Sequence, residues 1–265
     1  MEQRHILITI TGPSGSGKTE LSRRLSQQGL VPLVSTTTRF PRENEKHGVD
    51  YFYLSREEFQ DALASGKFME DVEYNGILYG VSVAEAERAF AQGAPAVLVA
   101  EPHGVEQITT YCHSRDWDVF RVFVDCDPNV LLGRLLTRLR NDLSGSSFGD
   151  KNLGDVAAYV EKINLLRTRS ATEEDFADVL RQFSQDIVGS GVSLDEATKE
   201  KVIQAAAHRI TSFDFEQKNW VVPARNGIGY DLVVPGFSQA NEKDVLKEIL
   251  SHLEPDATAA PKMKL

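Results

Sequence analysis

Apolar and β-branched residues gather in short runs at 5–10, 31–34, 96–100, 119–125 and 231–234, separated by stretches whose apolar positions carry helical spacing. Short apolar runs bounded by turn residues read as strands, and the intervening periodicity reads as helices. Strands that alternate with helices pair in parallel through right-handed crossovers. The expected fold is therefore α/β: three layers, α/β/α, around a five-stranded parallel sheet. A helix over 19–28 closes at Gly29. Ser55-Arg56-Glu57-Glu58 and Ser82-Val83-Ala84-Glu85 carry the capping-box pattern and predict helices ending near Gly66 and Gly93. Asp127-Pro128 supplies an N-cap and a first-turn proline to a helix over 129–140, with Val130, Leu131, Leu135 and Leu139 predicted to face the core.

The pattern changes between the second and third core strands. Residues 35–81 alternate threonines with aromatics, and Lys67 to Tyr79 straddle Asn75-Gly76, a hairpin turn pair. This segment reads as a small mixed-β module inserted into a core made of 1–34, 82–137 and 229–253. Residues 138–170 are assigned to a lid region, in which 141–157, with Ser144-Gly145-Ser146-Ser147 and Gly149, is expected to be a mobile loop. Residues 171–228 read as a helical extension. Within it Ser193-Leu194-Asp195-Glu196 caps a helix to about Ile210 with Val202, Ala206 and Ile210 on one face, packing on the core being preferred over a docking surface. The Ala-, Pro- and Lys-bearing tail, 254–265, is expected to be disordered.

Composition narrows the partners. Of the 265 residues 41% are hydrophobic, enough for a packed core, and no apolar stretch approaches bilayer length. The net charge of −10 lacks the basic footprint that nucleic-acid binding demands, so neither a nucleic acid nor a membrane is expected as partner. A mononucleotide needs only a local cluster of arginine and lysine. The first strand begins almost at the N-terminus of this sequence, so no signal or transit peptide is expected. Cys112 and Cys126 read as a helix thiol and a strand-end thiol without metal-ligand spacing or a disulfide framework, which suits a reducing cytoplasm.

Chemistry is concentrated after the first strand. Gly12-Pro13-Ser14-Gly15-Ser16-Gly17-Lys18-Thr19 is G-x-x-x-x-G-K-[ST], a phosphate-binding loop, with a strand before it and a helix after it. Its backbone N–H groups, from Gly12 through Ser14, Gly15, Ser16 and Gly17, turn inward around a β-phosphate, aided by the positive end of the helix dipole. Lys18 bridges the β- and γ-phosphates and the Thr19 hydroxyl ligates Mg²⁺ in this arrangement. The expected ligand is a nucleoside triphosphate with Mg²⁺.

A second anion site follows. Ser35-Thr36-Thr37-Thr38-Arg39-Phe40-Pro41-Arg42 puts two arginines three apart across a stiffening proline, able to converge on one phosphate, with Tyr51 and Tyr79 adding hydroxyl donors. This string, with Gly48, Asp50-Tyr51, Gly66-Lys67-Phe68-Met69-Glu70 and Tyr79-Gly80, closely resembles the guanylate kinase family. The likeness covers 6–104 well and fits again loosely at Tyr230-Asp231-Leu232-Val233-Val234. It implies an acceptor site in which Arg39, Arg42, Tyr51 and Tyr79 hold a monophosphate while Ser35 and Glu70 read the base. A carboxylate suits guanine, because it accepts from N1–H and the exocyclic amino group together. The implied reaction carries the γ-phosphate of ATP to GMP or dGMP.

The sequence also departs from the family. Val81 stands where Ser or Thr usually follows Tyr-Gly, with Ser82 adjacent as the available hydroxyl. The aspartate-rich strand end becomes Leu98-Val99-Ala100-Glu101-Pro102-His103-Gly104, so Val99 removes one carboxylate and Glu101 replaces a base-reading aspartate; Pro235 stands where the family has Asn. These changes bear on base choice and magnesium geometry. Arg134 and Arg138 lie one helical turn apart, and the resemblance implies lid arginines from them and from Arg167 or Arg169, with lid closure excluding water. His47 and His103 read as surface or structural residues. Two alternatives stay open: a kinase retuned to another or modified monophosphate, and a catalytically silent binding module, which the intact Lys18 and Thr19 disfavour.

Overall fold

The protein is described by a computed structural model covering residues 4–41, 45–74, 76–144, 153–169, 171–188 and 194–253. The chain runs β1 (Ile6–Thr11), α1 (Lys18–Gln27), β2 (Val31–Pro32), β3 (Thr36–Thr37), β4 (Phe52–Tyr53), α2 (Arg56–Ala64), β5 (Phe68–Tyr74) and β6 (Ile77–Ser82). It continues through α3 (Val83–Phe90), β7 (Ala96–Val99), α4 (Pro102–Ser114), β8 (Asp118–Asp125), α5 (Pro128–Ser144), α6 (Leu153–Arg167) and α7 (Glu173–Phe183). A π-helical turn, Ser184–Val188, extends α7; α8 (Glu196–Glu216), a second π turn, α9 (Val222–Arg225), β9 (Leu232–Pro235) and α10 (Glu242–Ser251) complete it. The chain divides into two compact units: Met1–Thr11 with Gly17–Val124 and Gly229–Leu265, and Gly12–Ser16 with Asp125–Ile228.

The first unit holds the expected five-stranded parallel sheet, in the order β2-β7-β1-β8-β9. Every residue of β1 is buried, because both faces of the strand are covered. Ile8 and Ile10 pack with Leu21 and Leu25 of α1 and Val245 and Ile249 of α10. Leu7, on the other face, packs with Ala86, Ala89 and Phe90 of α3 and Ile108 and Cys112 of α4. Each buried aliphatic side chain contributes about 1.5–3 kcal/mol, so burial on both faces holds β1 in the interior of the unit. A separate mixed sheet, β4-β3-β6-β5, carries the inserted segment. In it β3 pairs parallel with β4 and antiparallel with β6, and β5 pairs antiparallel with β6. The hairpin turn includes Gly76, with φ 73°; Asn75 lies outside the described residues.

Capping explains the helix starts. At α2 both halves of the box form: Glu58 N–H donates to Ser55 Oγ, and Ser55 N–H donates to Glu58 Oε2. At α3 only half forms. Glu85 N–H donates to Ser82 Oγ, but the buried Glu85 carboxylate accepts from Val34 N–H and pairs with Arg88. Tertiary contact has taken the carboxylate that the local motif would have used.

The second unit is helical. Leu132, Leu136, Leu139 and Leu143 of α5 share one core with Val156, Tyr159 and Ile163 of α6, Phe176, Leu180 and Phe183 of α7, and Ile203, Ala207, Ile210 and Phe213 of α8. Segments assigned from sequence to 138–170 and 171–228 thus bury their side chains in a single cluster. Three expectations are corrected. The Ser/Gly-rich stretch at 141–157 is helical through Ser144 and again from Leu153, since Leu143 and Val156 are buried; 145–152 lie outside the described residues. Val130 does not face the core but is 46% exposed, because the stripe 132-136-139-143 sets the buried face. The helix expected to end near Ile210 continues to Glu216, with Val202 only partly buried and Ala206 and Ile210 buried. Asp195 accepts from Thr198 N–H at its start, while Ser193 and the tail 254–265 lie outside the described residues. Among the described residues no helix is long and apolar enough to cross a membrane.

Candidate functional site

Strand β1 ends at the middle of its sheet, between β7 and β8, and the next residues form the glycine-rich loop. In open α/β sheets, ligands gather outside the carboxyl ends of the strands at such a position. Gly15 and Gly17 adopt φ of 86° and 100°, which side-chain-bearing residues rarely tolerate. Gly17 has a second constraint, since a Cβ there would stand 2.7 Å from the Phe237 carbonyl oxygen. It caps α1, whose first turn carries Lys18 and the exposed Thr19. Earlier in the loop Ser16 N–H donates to the Pro13 carbonyl at 3.1 Å. Ser16 itself is fully buried.

The small sheet gathers the second cluster. Thr36 and Thr37 of β3 pair with Gly80 and Tyr79 of β6, and with Phe52 and Tyr53 of β4. Ser35 and Arg39 therefore flank the strand that lies between Tyr51 at the edge of β4 and Tyr79 in β6. Arg39 Nη2 donates to Glu45 Oε1 at 2.9 Å and Nη1 to the Phe40 carbonyl at 2.8 Å. Tyr53 donates to the other Glu45 oxygen at 2.9 Å. The Arg39 guanidinium lies 5.3 Å from the Tyr51 ring centre, and the Tyr51 and Tyr79 rings are 6.2 Å apart. Burial works to lower the Arg39 pKa, but its pairing with Glu45 outweighs that and holds it above the ordinary value, so the residue is a fixed cation. Arg42 lies outside the described residues. His47 accepts the Tyr53 N–H through Nδ1, a structural role.

Glu70 sits on β5, paired in register with Val81 of β6 just after an irregularity between Phe68 and Glu70. Such bulges re-aim side chains. Its carboxyl is buried, 8% exposed, and its pKa is pushed up from 4.5 to about 7, first by burial and then by the neighbouring Asp71 and Glu101 carboxylates. Val81, itself buried among Met69, Ala86 and Leu98, supplies no donor to it. Successive strand residues face opposite ways, and Ser82, the hydroxyl next door, caps α3 instead. Glu101 is the N-cap of α4 with no side-chain capping bond. Its side chain is exposed, while nearby protein atoms still withdraw some water from the carboxyl. That desolvation raises its pKa, with Lys18 pulling the other way. Gln107 of α4 exchanges two hydrogen bonds with the Asp71 backbone, at 2.9 and 3.0 Å, and so fixes α4 beside Glu70.

Within the helical unit a cleft of about 150 Å³ is lined by Ser14 and Gly15 of the loop, Leu131, Arg134, Leu135 and Arg138 of α5, and Arg209 and Phe213 of α8. Arg134 Nη1 donates to the Gly15 carbonyl at 2.7 Å, tying the loop to α5. Arg138 is exposed and 3.8 Å from Asp142. Arg167 is not among the lining residues; it ends α6 and donates to Asn164 Oδ1 at 3.2 Å. A third arginine, Arg209 of α8, lines the cleft, and the sequence analysis did not single it out. The available signal was a cation set between apolar positions, with Ala206, Ala207, Ile210 and Phe213 all buried around it.

The guanylate kinase family model matches residues 3–145. The guanylate kinase of Chlamydia felis is 43% identical over 101 residues, 37% of this chain and 50% of that protein. That of Bacillus subtilis is 38% identical over 111 residues, 41% of this chain and 54% of its own length. In such cases the chain spans about half the length of the curated relative it matches. The guanylate kinase of Cereibacter sphaeroides aligns far more fully, 30% identical over 207 residues, 77% of this chain and 88% of the relative. With the family match running from β1 through α5 and this relative aligned across most of the chain, the protein belongs to the guanylate kinase family.

Proposed function

We propose that this protein transfers the γ-phosphoryl group of ATP to GMP or dGMP, giving ADP and the corresponding diphosphate. The observation that carries this reading is the buried Glu70 carboxyl on the small sheet that also holds Tyr79 and whose strands Arg39 and Tyr51 flank. Ionised, that carboxyl accepts from the N1–H and amino group of guanine, while the arginine and tyrosines suit a monophosphate. In this reading Gly12, Ser14, Gly15, Ser16, Gly17 and Lys18 hold the ATP phosphates, Arg39 and Arg42 the acceptor phosphate, and Ser35 and Glu101 assist at the base. Arg134, Arg138 and Arg209 neutralise charge on the transferred group, Arg209 replacing Arg167 in that set.

The acceptor phosphate is already largely dianionic at neutral pH, so no general base is required. Catalysis then rests on alignment and charge neutralisation. The exposed Thr19 hydroxyl at the start of α1 fits a hard, oxygen-seeking Mg²⁺ that arrives with its nucleotide, and the ion would supply charge neutralisation at the β- and γ-phosphates. Among the described residues no group of three or more His, Cys, Asp or Glu gathers to hold a metal by itself. Cys112 and Cys126 are buried free thiols, suited to a cytoplasmic setting. A second reading, a kinase retuned to another monophosphate, is favoured by the apolar Val81 facing Glu70.

The deciding experiment couples ADP release to the nine common ribo- and deoxyribonucleoside monophosphates, with ATP and Mg²⁺. Turnover confined to GMP and dGMP is expected, and Lys18→Ala should lower it by about 10²–10³-fold while the chain stays folded. Preference for another base would favour the second reading; normal turnover by Lys18→Ala would remove the donor assignment.

A further inference from the structure

We infer that Gly104 is a positioning residue for base recognition, its missing side chain being the space in which the Glu70 carboxylate is held. The inference rests on the reading of Glu70 as the base reader. Gly104 is the third residue of α4, in its first turn. Its backbone is not in the left-handed region, so nothing in the main chain calls for glycine there. Glycine in a helix is less stable than alanine, so its presence there calls for a reason. Space supplies the reason. A Cβ on Gly104 would stand 2.9 Å from Glu70 Oε2, 3.4 Å from Cδ and 3.8 Å from Cγ.

The nature of the obstructed atoms decides what a side chain would do. At Gly80, a Cβ would meet the Glu70 main-chain carbonyl at 2.8 Å and the Phe59 ring at 3.1 Å, so the strand pairing itself would have to move. At Gly104 every close atom belongs to the far half of one flexible side chain. Alanine is then accommodated by rotation of Glu70, which leaves the fold intact and displaces the carboxylate. Nothing restores it from the other side: Val81 opposite is apolar, and Asp71 and Glu101 repel it. The two glycines thus seat Glu70 from both ends, Gly80 under its backbone and Gly104 against its carboxylate.

The test measures GMP and ATP dissociation constants and thermal midpoints for the full chain, for Gly104→Ala, for Glu70→Ala, for Glu70→Asp, and for Glu70→Asp combined with Gly104→Ala. Gly104→Ala should weaken GMP about ten- to a hundredfold, the range for losing a charged hydrogen-bond pair, with ATP affinity unchanged and the midpoint not lowered. Aspartate is one methylene shorter and withdraws from position 104. Adding Gly104→Ala to Glu70→Asp should therefore change GMP affinity by less than about twofold. Glu70→Ala separates the two claims. If it leaves GMP binding intact, the base-reader assignment itself fails. If it weakens GMP while Gly104→Ala does not, or if Gly104→Ala costs the same in the Glu70→Asp background, the positioning role is overturned and the base reader stands.

Discussion

Glu70 is asked to be neutral by the fold and ionised by its ligand. Its folded pKa of about 7 lies above the ordinary 4.5, so the folded chain binds more protons than the unfolded chain between those values. The stability tied to the neutral carboxyl is present below about 4.5 and is lost as pH rises through about 7. Glu70→Gln, always neutral, should match the parent near pH 4.5 and exceed its stability at about pH 8 by up to about 3 kcal/mol, read by denaturant unfolding at each pH. GMP binding should run the opposite way. Affinity should rise from about pH 6 to about pH 8 as Glu70 ionises, and calorimetry on Glu70→Gln should find weak binding without that rise beyond the ligand's own phosphate titration. A parent profile no steeper than that of Glu70→Gln would show that Glu70 does not titrate between about pH 6 and about pH 8. The sequence made Glu70 visible as a carboxylate in a familiar string. It could not show that Val81 faces it, because a one-residue slip in register would have brought Ser82 opposite instead.

At the scale of elements, α8 carries the sharpest difference between motif and placement. Arg209 and Phe213 lie one turn apart and line the same cleft as Arg134 and Arg138, while Arg167 sits at the end of α6 against Asn164. Arg209→Ala should lower kcat by about 10²–10³-fold, the cost of one lost donor to developing charge, and Arg167→Ala should lower it far less. Steady-state kinetics of both variants, with circular dichroism to verify folding, decide between them. Equal losses would return Arg167 to the set. The five core strands, α1 and the capped α2 were legible because local signals sufficed: apolar runs, a glycine stop, a serine with glutamate three residues on. The length of α5 was not, since Ser and Gly near 144–149 suggest a loop while burial of Leu139 and Leu143 carries the helix to Ser144.

Over the whole molecule, each unit has apolar clusters of its own, two on the faces of the parallel sheet and one among the helices. Phe183 is fully buried in the helical one, among side chains from α5, α6 and α8. Phe183→Ala should cost about 3–5 kcal/mol there, and native-state hydrogen exchange should find that loss in the amides of α5 to α8 while β1 and β7 keep their protection. Uniform loss across both would mean that the clusters melt as one. What the sequence by itself determined is whatever a few neighbouring residues decide: the glycine-rich loop between strand and helix, the alternation that makes an α/β core, and the arginine, tyrosine and glutamate string of the acceptor cluster. What only the tertiary structure decided depends on residues far apart in the chain. Glu85 leaves its capping box for Val34, Arg209 of α8 joins Arg134 of α5 in one cleft, and Gly104 is glycine because Glu70 needs the space. Periodicity and motifs report the nearest turn or two, whereas register, packing and desolvation are set by partners that the chain brings together only when it folds.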